Sequence, residues 1–457
     1  MKKLFYTSIV LLFVSCQFED DNAPKPTDEF IKYIGALADH EAKDIEPLYA
    51  DDGTTLEGFV IFGTQQQQDL TVDYYVAITD ASGNLINDAS FDASGFIFGD
   101  INGNGIINQQ DSVNSQESAG QIEVLSNGFL ITGTSSFTQN LLGANEYQFI
   151  TYAFLDQNLS ATSTGLIRAD TSRNISGLQN VTRDMIANDM ISLSDGTFLL
   201  IGAKENAAET DLDFYIRKFD QTTIYWEKSI GFGSGDDVLV RAFENDDQSI
   251  ALFGYSNDPG INGSAGINAT YVLVNQNGNI LDSNSNGILE ANAIDVNDDV
   301  LTDVIETSGG YAVVGTSTRS SSEQSFSFFM SMNKNGVAQF SDIISSRFVE
   351  AEASIQSKAL ALTQTTSNEF VVVGEYPSFR VGAENKGGEA MFVGVDQVGN
   401  PIQGLESNFG LEGGNDVAND AITLPDGKIV VACTIDFGVG VKLISLMKLN
   451  DSGSLDR

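Results

Sequence analysis

The densest run of oxygen-bearing side chains spans residues 100–111 and reads DINGNGIINQQD. Oxygen ligands stand at positions 1, 3, 5, 9 and 12 of this run, and a glycine stands at position 6, where a calcium loop turns sharply. Calcium takes roughly six to eight oxygen ligands in a flexible cage. The spacing therefore predicts a calcium loop, the alternative being a turn-rich Asn/Gly insertion. Its ligands would be Asp100, Asn102, Asn104, Asn108 and Asp111, with the Ile106 carbonyl and water.

This run resembles the calcium loops of dockerins, which place Asp or Asn at these positions and close with Asp. Flanking helices are not evident, so the resemblance implies the loop alone. A weaker copy contains Asp282, Asn284, Asn286 and Glu290, but its twelfth position is Ala293, so it lacks the closing carboxylate unless Asp295 bends in. We expect calcium at either loop to brace one rim of the fold, a structural role rather than a catalytic one.

Side chains for nucleophilic catalysis are scarce. The single histidine, His40, lies in a polar stretch that we interpret as a linker, with no serine or cysteine elbow beside it. Acid pairs are common, and glycoside hydrolysis uses two carboxylates at a set separation. With 63 acids, however, some pair meets any spacing. Recurrence at equivalent repeat positions favours turn capping by the pairs Asp236-Asp237, Asp298-Asp299, Asn415-Asp416 and Asn419-Asp420.

Composition excludes several classes of function. The 457 residues carry 23 Lys plus Arg against 63 Asp plus Glu, a formal charge of −40. Nucleic acids and anionic lipid surfaces require basic clusters, so neither is an expected partner. One His and two Cys exclude a multi-histidine metal site and a disulfide framework. Cys433 ends an apolar run and is predicted to be a small buried core residue.

The first 15 residues are typical of an export signal. Lys2 and Lys3 precede an apolar run of about 11 residues, too short for the roughly 20 that span a membrane. Residues 13–16 (FVSC) resemble a bacterial lipoprotein box, although Phe13 replaces the usual Leu. The following QFEDD resembles the acidic export tag of Bacteroidota surface lipoproteins. The resemblance implies lipidation of Cys16, a tether over 16–28 and an outer-membrane protein facing the cell surface. The alternative is a secretory signal cleaved elsewhere.

A repeat of about sixty residues organises the rest of the chain. Each unit has a turn, an apolar run and a small residue, and each contains a second apolar run ending in an Asn/Gly turn such as 80–84, 275–279 or 396–400. The runs are short and rich in Val, Ile, Phe and Tyr, which indicates strands. No window has a helical period. The small residues end the segments 56–63, 126–133, 194–202, 246–254, 308–315, 367–374 and 425–432.

Four strands per unit and seven units predict an all-β, seven-bladed β-propeller. The turns resemble the "DGGF…G" propeller modules of bacterial secreted proteins and lipoproteins, a resemblance that implies the fold and little about function. The last unit lacks a fourth strand, so we expect the N-terminal stretch Phe30–Ile34 to supply it. The propeller would span 29–457, with blade cores near 42–92, 117–168, 185–231, 236–282, 299–345, 356–410 and 416–457 plus 29–36.

One loop, residues 375–386, combines aromatics, a proline and two scarce cations, a composition enriched at binding hot spots. We interpret Tyr376, Phe379 and Arg380 as candidate partner contacts, with Tyr255 on a similarly long loop. The sequence thus favours a non-catalytic surface lipoprotein that binds a protein of an outer-membrane assembly or an extracellular glycan. The alternative is a carboxylate-dependent glycan hydrolase or lyase with its site at the propeller channel, which an acid pair in an aromatic-lined pocket would favour.

Overall fold

The structure is a computed structural model that describes residues 28–35, 38–68, 70–92, 115–139, 145–167, 184–206, 211–257, 266–281, 297–319, 324–344, 356–376, 380–381, 384–385, 387–411, 413–438, 440–451 and 453–454. Every regular element within these ranges is a β-strand, as the sequence predicted. Across the same ranges, no helix has the length and apolar character that crossing a membrane requires.

The described residues up to 281 contain sixteen strands: β1 (Phe30–Ile34), β2 (His40–Tyr49), β3 (Leu56–Gln66), β4 (Val72–Asp80), β5 (Leu85–Phe91), β6 (Ser115–Leu125), β7 (Gly128–Gln139), β8 (Asn145–Asp156), β9 (Ala161–Ile167), β10 (Met185–Ser192), β11 (Phe198–Glu205), β12 (Leu212–Phe219), β13 (Ile224–Ile230), β14 (Asp237–Glu244), β15 (Ile250–Ser256) and β16 (Asn268–Val274).

The described residues from 297 onward contain thirteen further strands: β17 (Asn297–Thr307), β18 (Gly310–Arg319), β19 (Gln324–Asn333), β20 (Ala338–Ile343), β21 (Lys358–Gln364), β22 (Phe370–Tyr376), β23 (Arg380–Val381), β24 (Glu384–Asn385), β25 (Glu389–Val395), β26 (Pro401–Phe409), β27 (Val417–Thr423), β28 (Ile429–Asp436) and β29 (Lys442–Leu449).

Consecutive strands pair antiparallel into small sheets. Four-stranded sheets have the orders β10-β11-β12-β13, β17-β18-β19-β20 and β21-β22-β25-β26. The strands β2 to β5 and β6 to β9 form two similar units, joined by one parallel pair, Val72 with Gln116. The sheet β14-β15-β16 has three strands within the described residues, not the expected four, because after the bridge between Val274 and Ile280 the chain leaves the described range.

The N-terminal strand β1 belongs to the sheet of the last strands. The order of that sheet is β1-β29-β28-β27, and Phe30 pairs with Lys448 while Ile34 pairs with Ile444. The outer position of β1 is the one that the sequence predicted. Two lysines of this sheet, Lys428 and Lys448, also form ion pairs with Asp28, just ahead of β1.

The first strand of each sheet contacts the first strand of the next in the order β2, β6, β10, β14, β17, β21, β27, and β27 contacts β2 again. Hydrophobic clusters fill the space between neighbouring sheets. One packs Ile45 and Phe59 of the first sheet against Val430 and Leu446 of the last, and all four side chains are fully buried. The core is therefore a series of layers between sheets, arranged around the first strands.

Each first strand carries a β-bulge at the equivalent place. The bulged residues are Lys43, Gly120, Asn188, Val240, Thr302, Leu360 and Asn419. A bulge inserts one residue that has no partner opposite and re-aims the side chain that follows. The second strand meets the bulge with a glycine in six sheets, for example Gly63 opposite Ala42 and Gly202 opposite Ala187. A β-carbon at Gly202 would overlap the carbonyl oxygen of Ile186, which explains the small residue of the repeat.

The Asn/Gly turns form as the sequence predicted. Asp80 accepts hydrogen bonds from the N–H groups of Ser82 and Asn84 at 2.9 and 2.8 Å, and Gly83 has a φ of 74°. Asp396 makes the same contacts with Val398 and Asn400. Such Asx turns need a side-chain oxygen first and a residue tolerant of positive φ later, so they explain part of the acidic composition.

Candidate active site in the central channel

The residues that directly follow the seven bulges line the centre of the molecule. Because the bulges are equivalent, these residues occupy equivalent positions on the seven first strands. Five of the seven are charged. The set is Asp44, Gln121, Asp189, Arg241, Asp303, Ala361 and Asp420.

Arg241 is the cation of this central set. Its Nε donates to Asp303 Oδ1 at 2.7 Å, and its Nη1 donates to Gln121 Oε1 at 2.5 Å and lies 3.4 Å from Asp189 Oδ1. Burial alone would lower the pKa of Arg241, but Asp303, Asp189 and the other two central aspartates raise it above its ordinary value. The guanidinium therefore stays charged and links β14 to three other first strands, β6, β10 and β17.

The four aspartates also bind backbone N–H groups of the following first strand. Asp44 Oδ2 accepts from Ile122 at 2.7 Å, and Asp189 Oδ2 accepts from Ala242 at 2.9 Å. Asp303 and Asp420 accept from Leu362 and Ile45, both at 3.0 Å. Each carboxylate thus joins one sheet to the next, which gives these aspartates a structural role in addition to any chemical one.

Asp420 and Asp44 form an acid pair. Burial raises the pKa of Asp420 well above its ordinary value, and the charges of Asp44 and Asp303 and a hydrogen bond with Asp44 raise it further, while Arg241 opposes the shift. Two adjacent buried carboxyls cannot both ionise readily. The surroundings therefore favour the protonated form of Asp420.

A cavity of about 640 Å³ opens from this central set, a volume in the range of ligand pockets. Three glutamates line it: Glu46, Glu123 and Glu244. Burial, with the charges of Asp44 and Glu123, raises the pKa of Glu46 to about 8. Burial also raises the pKa of Glu123, although hydrogen bonds from Ser192 favour its charged form. At neutral pH the cavity therefore places a protonated glutamic acid near a second carboxyl group.

A smaller cavity of about 260 Å³ lies on the other side of the central set. Asp44, Arg241 and Asp420 line both cavities and therefore form the partition between them. The bulged residues Lys43, Asn188 and Asn419 line the smaller cavity, together with Tyr255.

The acid pairs noted in the sequence bind backbone N–H groups, but they do not form the local turn caps that the sequence predicted. Asp236 accepts from the Leu212 N–H, Asp298 from the Ile267 N–H, and Asp416 from the N–H groups of Leu411 and Asp436, and three of these four partners are 20 or more residues away in the chain. Asp420 accepts from the Ile45 N–H and in addition follows a bulge and lines the cavity.

The sequence did not identify Asp44, Asp189, Asp303, Glu46 or Glu123 as site residues. A short sequence pattern on the first strands could have identified the aspartates. A small or apolar residue comes first, the bulged residue second and an acid third. This pattern is present in Ala42-Lys43-Asp44, Ala187-Asn188-Asp189, Leu301-Thr302-Asp303 and Ala418-Asn419-Asp420.

His40 was wrongly interpreted as part of a polar linker. It is the first residue of β2, its side chain is buried, and its ring contacts Tyr75 edge-to-face. Burial lowers its pKa, and its Nδ1 hydrogen-bonds with the Ala38 carbonyl. The ring is thus fixed within the fold. Cys433 is fully buried in the core, as predicted.

The predicted partner-binding residues do not form one surface. Tyr376 ends β22 and its side chain is fully buried within a hydrophobic cluster, so its interpretation as an exposed partner contact is wrong. Arg380 begins the short strand β23, whereas Tyr255 lies at the smaller cavity. Phe379, Cys16 and both predicted calcium loops lie outside the described residues.

The described residues contain no group of three or more His, Cys, Asp or Glu side chains arranged to hold a metal ion. The aspartates of the central set are engaged instead with Arg241 and with backbone N–H groups. Their arrangement fits acid–base chemistry.

No protein-family model matches the chain, and no curated protein matches it in sequence. Solved structures do resemble it. A polysaccharide lyase of family PL25, an ulvan lyase, is 12% identical with a TM-score of 0.51, and the match covers 92% of this chain and 96% of the lyase. The structure of such a lyase bound to -[GlcA(1-4)Rha3S]- matches over the same shares with a TM-score of 0.50.

A third match is a GH93 α-L-arabinofuranosidase of Fusarium graminearum with arabinobiose, at 8% identity and a TM-score of 0.41, over 94% of this chain and 100% of that enzyme. At such low identities the first two matches establish the fold alone. The chain has an all-β, β-propeller-like fold.

These findings correct the functional preference drawn from the sequence. The sequence favoured a non-catalytic binding module, yet the similar structures are those of glycan-active enzymes and the channel contains an acid cluster beside a cavity. The preference for a non-catalytic binding module is therefore not retained.

Proposed function

We propose that the protein is a carboxylate-dependent glycoside hydrolase whose active site is the 640 Å³ cavity of the central channel. The observation that carries the proposal is the joint presence in that cavity of Glu46 and Glu123, backed by the buried Asp44 and Asp420 and by Arg241, whose side chain is 22% exposed. Such hydrolases need one carboxylic acid that donates a proton and one carboxylate that acts on the sugar or on water.

We propose further that the sheets form seven blades, with β1 completing the last one. The cyclic contacts of the first strands and the pairing of β1 with β29 support this arrangement. A ring of blades would place the seven equivalent bulges around one axis, where their following residues meet.

In the proposed reaction, Glu46 protonates the glycosidic oxygen of the leaving group. Its raised pKa keeps it protonated at neutral pH, the condition for a general acid. Glu123 serves as the second carboxylate; burial raises its pKa, and the hydrogen bonds from Ser192 oppose that shift by favouring the charged form. The negative charge of Asp44 raises the pKa of Glu46, so the central set helps to keep Glu46 protonated.

The charge of the cavity favours a neutral glycan as substrate. Glutamates and aspartates outnumber its single arginine, and that arginine already binds Asp303 and Asp189. A uronate or sulfated chain would be repelled. Elimination by a polysaccharide lyase is the second candidate reaction, favoured by the fold of the ulvan lyase.

The test is a hydrolysis screen on arabinan, galactan, xylan, mannan and β-glucan, with ulvan and polygalacturonate as anionic comparisons. Reducing ends report hydrolysis, and the ultraviolet absorbance of an unsaturated uronate reports elimination. We expect hydrolysis of a neutral glycan that Glu46→Gln and Glu123→Gln each reduce at least about 100-fold. The matched control is Glu57→Gln, an exposed glutamate on β3. Full turnover by Glu46→Gln would refute the mechanism, and an unsaturated product would establish the lyase.

The N-terminal residues support a location for this activity. We propose that Cys16 is lipidated and that the 16–28 tether holds the enzyme at the outer membrane, facing the cell surface. Metabolic labelling with a lipid precursor should mark the wild type and not Cys16→Ala, and labelling of both would contradict the proposal.

For the loop at residues 100–111 we propose structural calcium. Calorimetry should detect calcium binding that Asp100→Ala and Asp111→Ala remove. An absence of binding heat in the wild type would rule out the site.

A further inference from the structure

We propose that a groove beside the acid cavity binds the sugar units that continue a neutral oligosaccharide beyond the unit bound at Glu46 and Glu123. This inference rests on the proposed function and adds a second binding site to it. The groove has a volume of about 420 Å³ and lies between the sheet of β6 to β9 and the sheet of β10 to β13.

The lining of the groove is suited to a sugar chain. Hydroxyl and amide groups stand at its exposed rim, on Ser126, Asn127, Thr162 and Gln221. The partly exposed Phe198 provides an aromatic surface beneath, and the buried Phe154 supports it edge-to-face, with ring centroids 5.5 Å apart. Sugars present hydroxyls at their edges and C–H groups on their faces, so an apolar floor with polar groups at the rim complements them.

The groove adjoins the acid cavity. Ser192 lines both spaces, and its hydrogen bonds hold Glu123 within the cavity. Leu125, two residues after Glu123 on β6, lines the groove, and side chains two apart on a strand point to the same face. The turn between β10 and β11 contacts the cavity through Ser194 and the groove through Gly196.

The two spaces differ in charge. Among the residues that line the groove, Asp156 is the one carboxylate, and its Oδ1 already accepts from the N–H groups of Asn158 and Ser160 at 2.9 Å. Among the described residues, no lysine or arginine lines it. An anionic glycan or an acidic peptide would find no cation there, whereas a neutral oligosaccharide needs only the hydrogen bonds and the apolar floor. The occupant that fits both spaces is therefore a neutral oligosaccharide.

The test compares short and long substrates of the sugar identified by the hydrolysis screen. The probes are its 4-nitrophenyl monoglycoside, which occupies the cavity alone, and its tetrasaccharide, which also reaches the groove. The variant is Asn127→Ala/Gln221→Ala, two exposed rim residues outside the acid cavity, and the control is Asn335→Ala, an exposed turn residue of another sheet. We expect the double variant to lower kcat/KM for the tetrasaccharide about tenfold, chiefly through KM, and for the monoglycoside less than twofold. The control should match the wild type.

Equal losses for both probes, or no loss for the tetrasaccharide, would overturn the groove assignment. A glycan array of neutral tetrasaccharides is run on the wild type and the double variant in parallel, so that the groove is tested separately from catalysis. If the wild type hydrolyses nothing, the proposed function fails. In that case, tetrasaccharide binding that the double variant weakens would still support the groove, and no tetrasaccharide binding by the wild type would overturn it.

Discussion

Glu46 shows how the surroundings of one side chain determine its chemistry. On β2, two residues after Asp44, it lines the cavity while burial and neighbouring carboxylates disfavour its charge. A carboxylic acid that stays protonated at neutral pH can donate a proton to a leaving group. The same side chain on an open strand would be ionised and unable to do so.

The raised pKa of Glu46 predicts the alkaline side of the pH profile. Since the protonated form of Glu46 is the active one, kcat/KM should not fall as the pH approaches about 8 from below, and it should fall about tenfold per pH unit well above that value. Hydrolysis of the neutral glycan between pH 5 and pH 10 measures this limb. A profile that already falls between pH 5 and pH 6 would show that a different acid donates the proton.

The Asp44–Asp420 pair makes stability depend on pH. An aspartate whose pKa is raised by folding contributes stability at low pH that is lost as the pH rises through the folded pKa. Wild-type unfolding temperature should therefore decrease between pH 5 and pH 9, with Asp420 as one contributor. Asp44→Asn removes a charge that raises the pKa of Asp420, and the asparagine oxygen can still accept the hydrogen bond from the Ile122 N–H. The unfolding temperature of this variant should therefore decrease less than that of the wild type between pH 5 and pH 9, by about 2 °C or more.

Thermal unfolding followed by circular dichroism at each pH measures this difference. The control is Asp51→Asn, an exposed aspartate in the turn after β2, which should follow the wild type. If the unfolding temperatures of the wild type and of Asp44→Asn decrease equally with pH, the assignment of Asp44 and Asp420 as an acid pair is contradicted.

At the residue scale the sequence predicted buried Cys433 and the Asn/Gly turns, but not the acid cluster. Local turn chemistry repeats within a few residues, so Asp80 or Asp396 can be assigned from neighbours in the chain. Asp44 and Asp420 are 376 residues apart (420 − 44), and only the arrangement of sheets brings them together. From the sequence alone, Glu46 cannot be distinguished from an acidic residue on the exposed face of a strand.

Among the strands, the small residue of the repeat is a requirement of the bulge. Gly202→Ala should lower the free energy of unfolding by about 2–4 kcal/mol, because its β-carbon would overlap the Ile186 carbonyl oxygen and the backbone would have to move. Denaturant unfolding measures the loss. Gly309→Ala is the matched control, since no atom lies within 4 Å of its β-carbon position. Equal stability of the two variants would mean that the backbone at the bulge can shift to accommodate a β-carbon without loss of stability.

The sequence identified this small residue correctly in six units and misplaced it by one in the seventh. The seventh unit was aligned on Ala432, but Cys433 pairs with Ala418 at the bulge, as Gly63 pairs with Ala42. Hairpins and turns were predictable because their signals are local. The bulges were not, because an extra residue in a strand leaves the alternation of apolar residues locally ambiguous.

For the whole molecule, β1 is the element that links the two ends of the chain. Deleting residues 28–36 should lower the unfolding temperature of the entire protein, because β29 loses its partner strand and Lys428 and Lys448 lose Asp28. A point variant tests the same contact without shortening the chain. Ile34→Ala should cost about 2–4 kcal/mol, since Ile34 is buried among residues of the first and last sheets.

The control for Ile34→Ala is Tyr33→Ala, whose side chain is 46% exposed and should cost clearly less. Calorimetry of both variants and of the deletion measures these effects. An unchanged unfolding temperature after the deletion would show that β1 is dispensable.

The pairing of β1 also has a consequence in time. Asp28 and its partner Lys448 are 420 residues apart, so the strand that is made first completes its sheet only when the last strands exist. At a synthesis rate of about 5–20 residues per second, about 20–80 s pass between the two events. Ribosomal elongation, rather than the intrinsic rate of strand pairing, thus sets the earliest moment at which the newborn chain can bury Ile34.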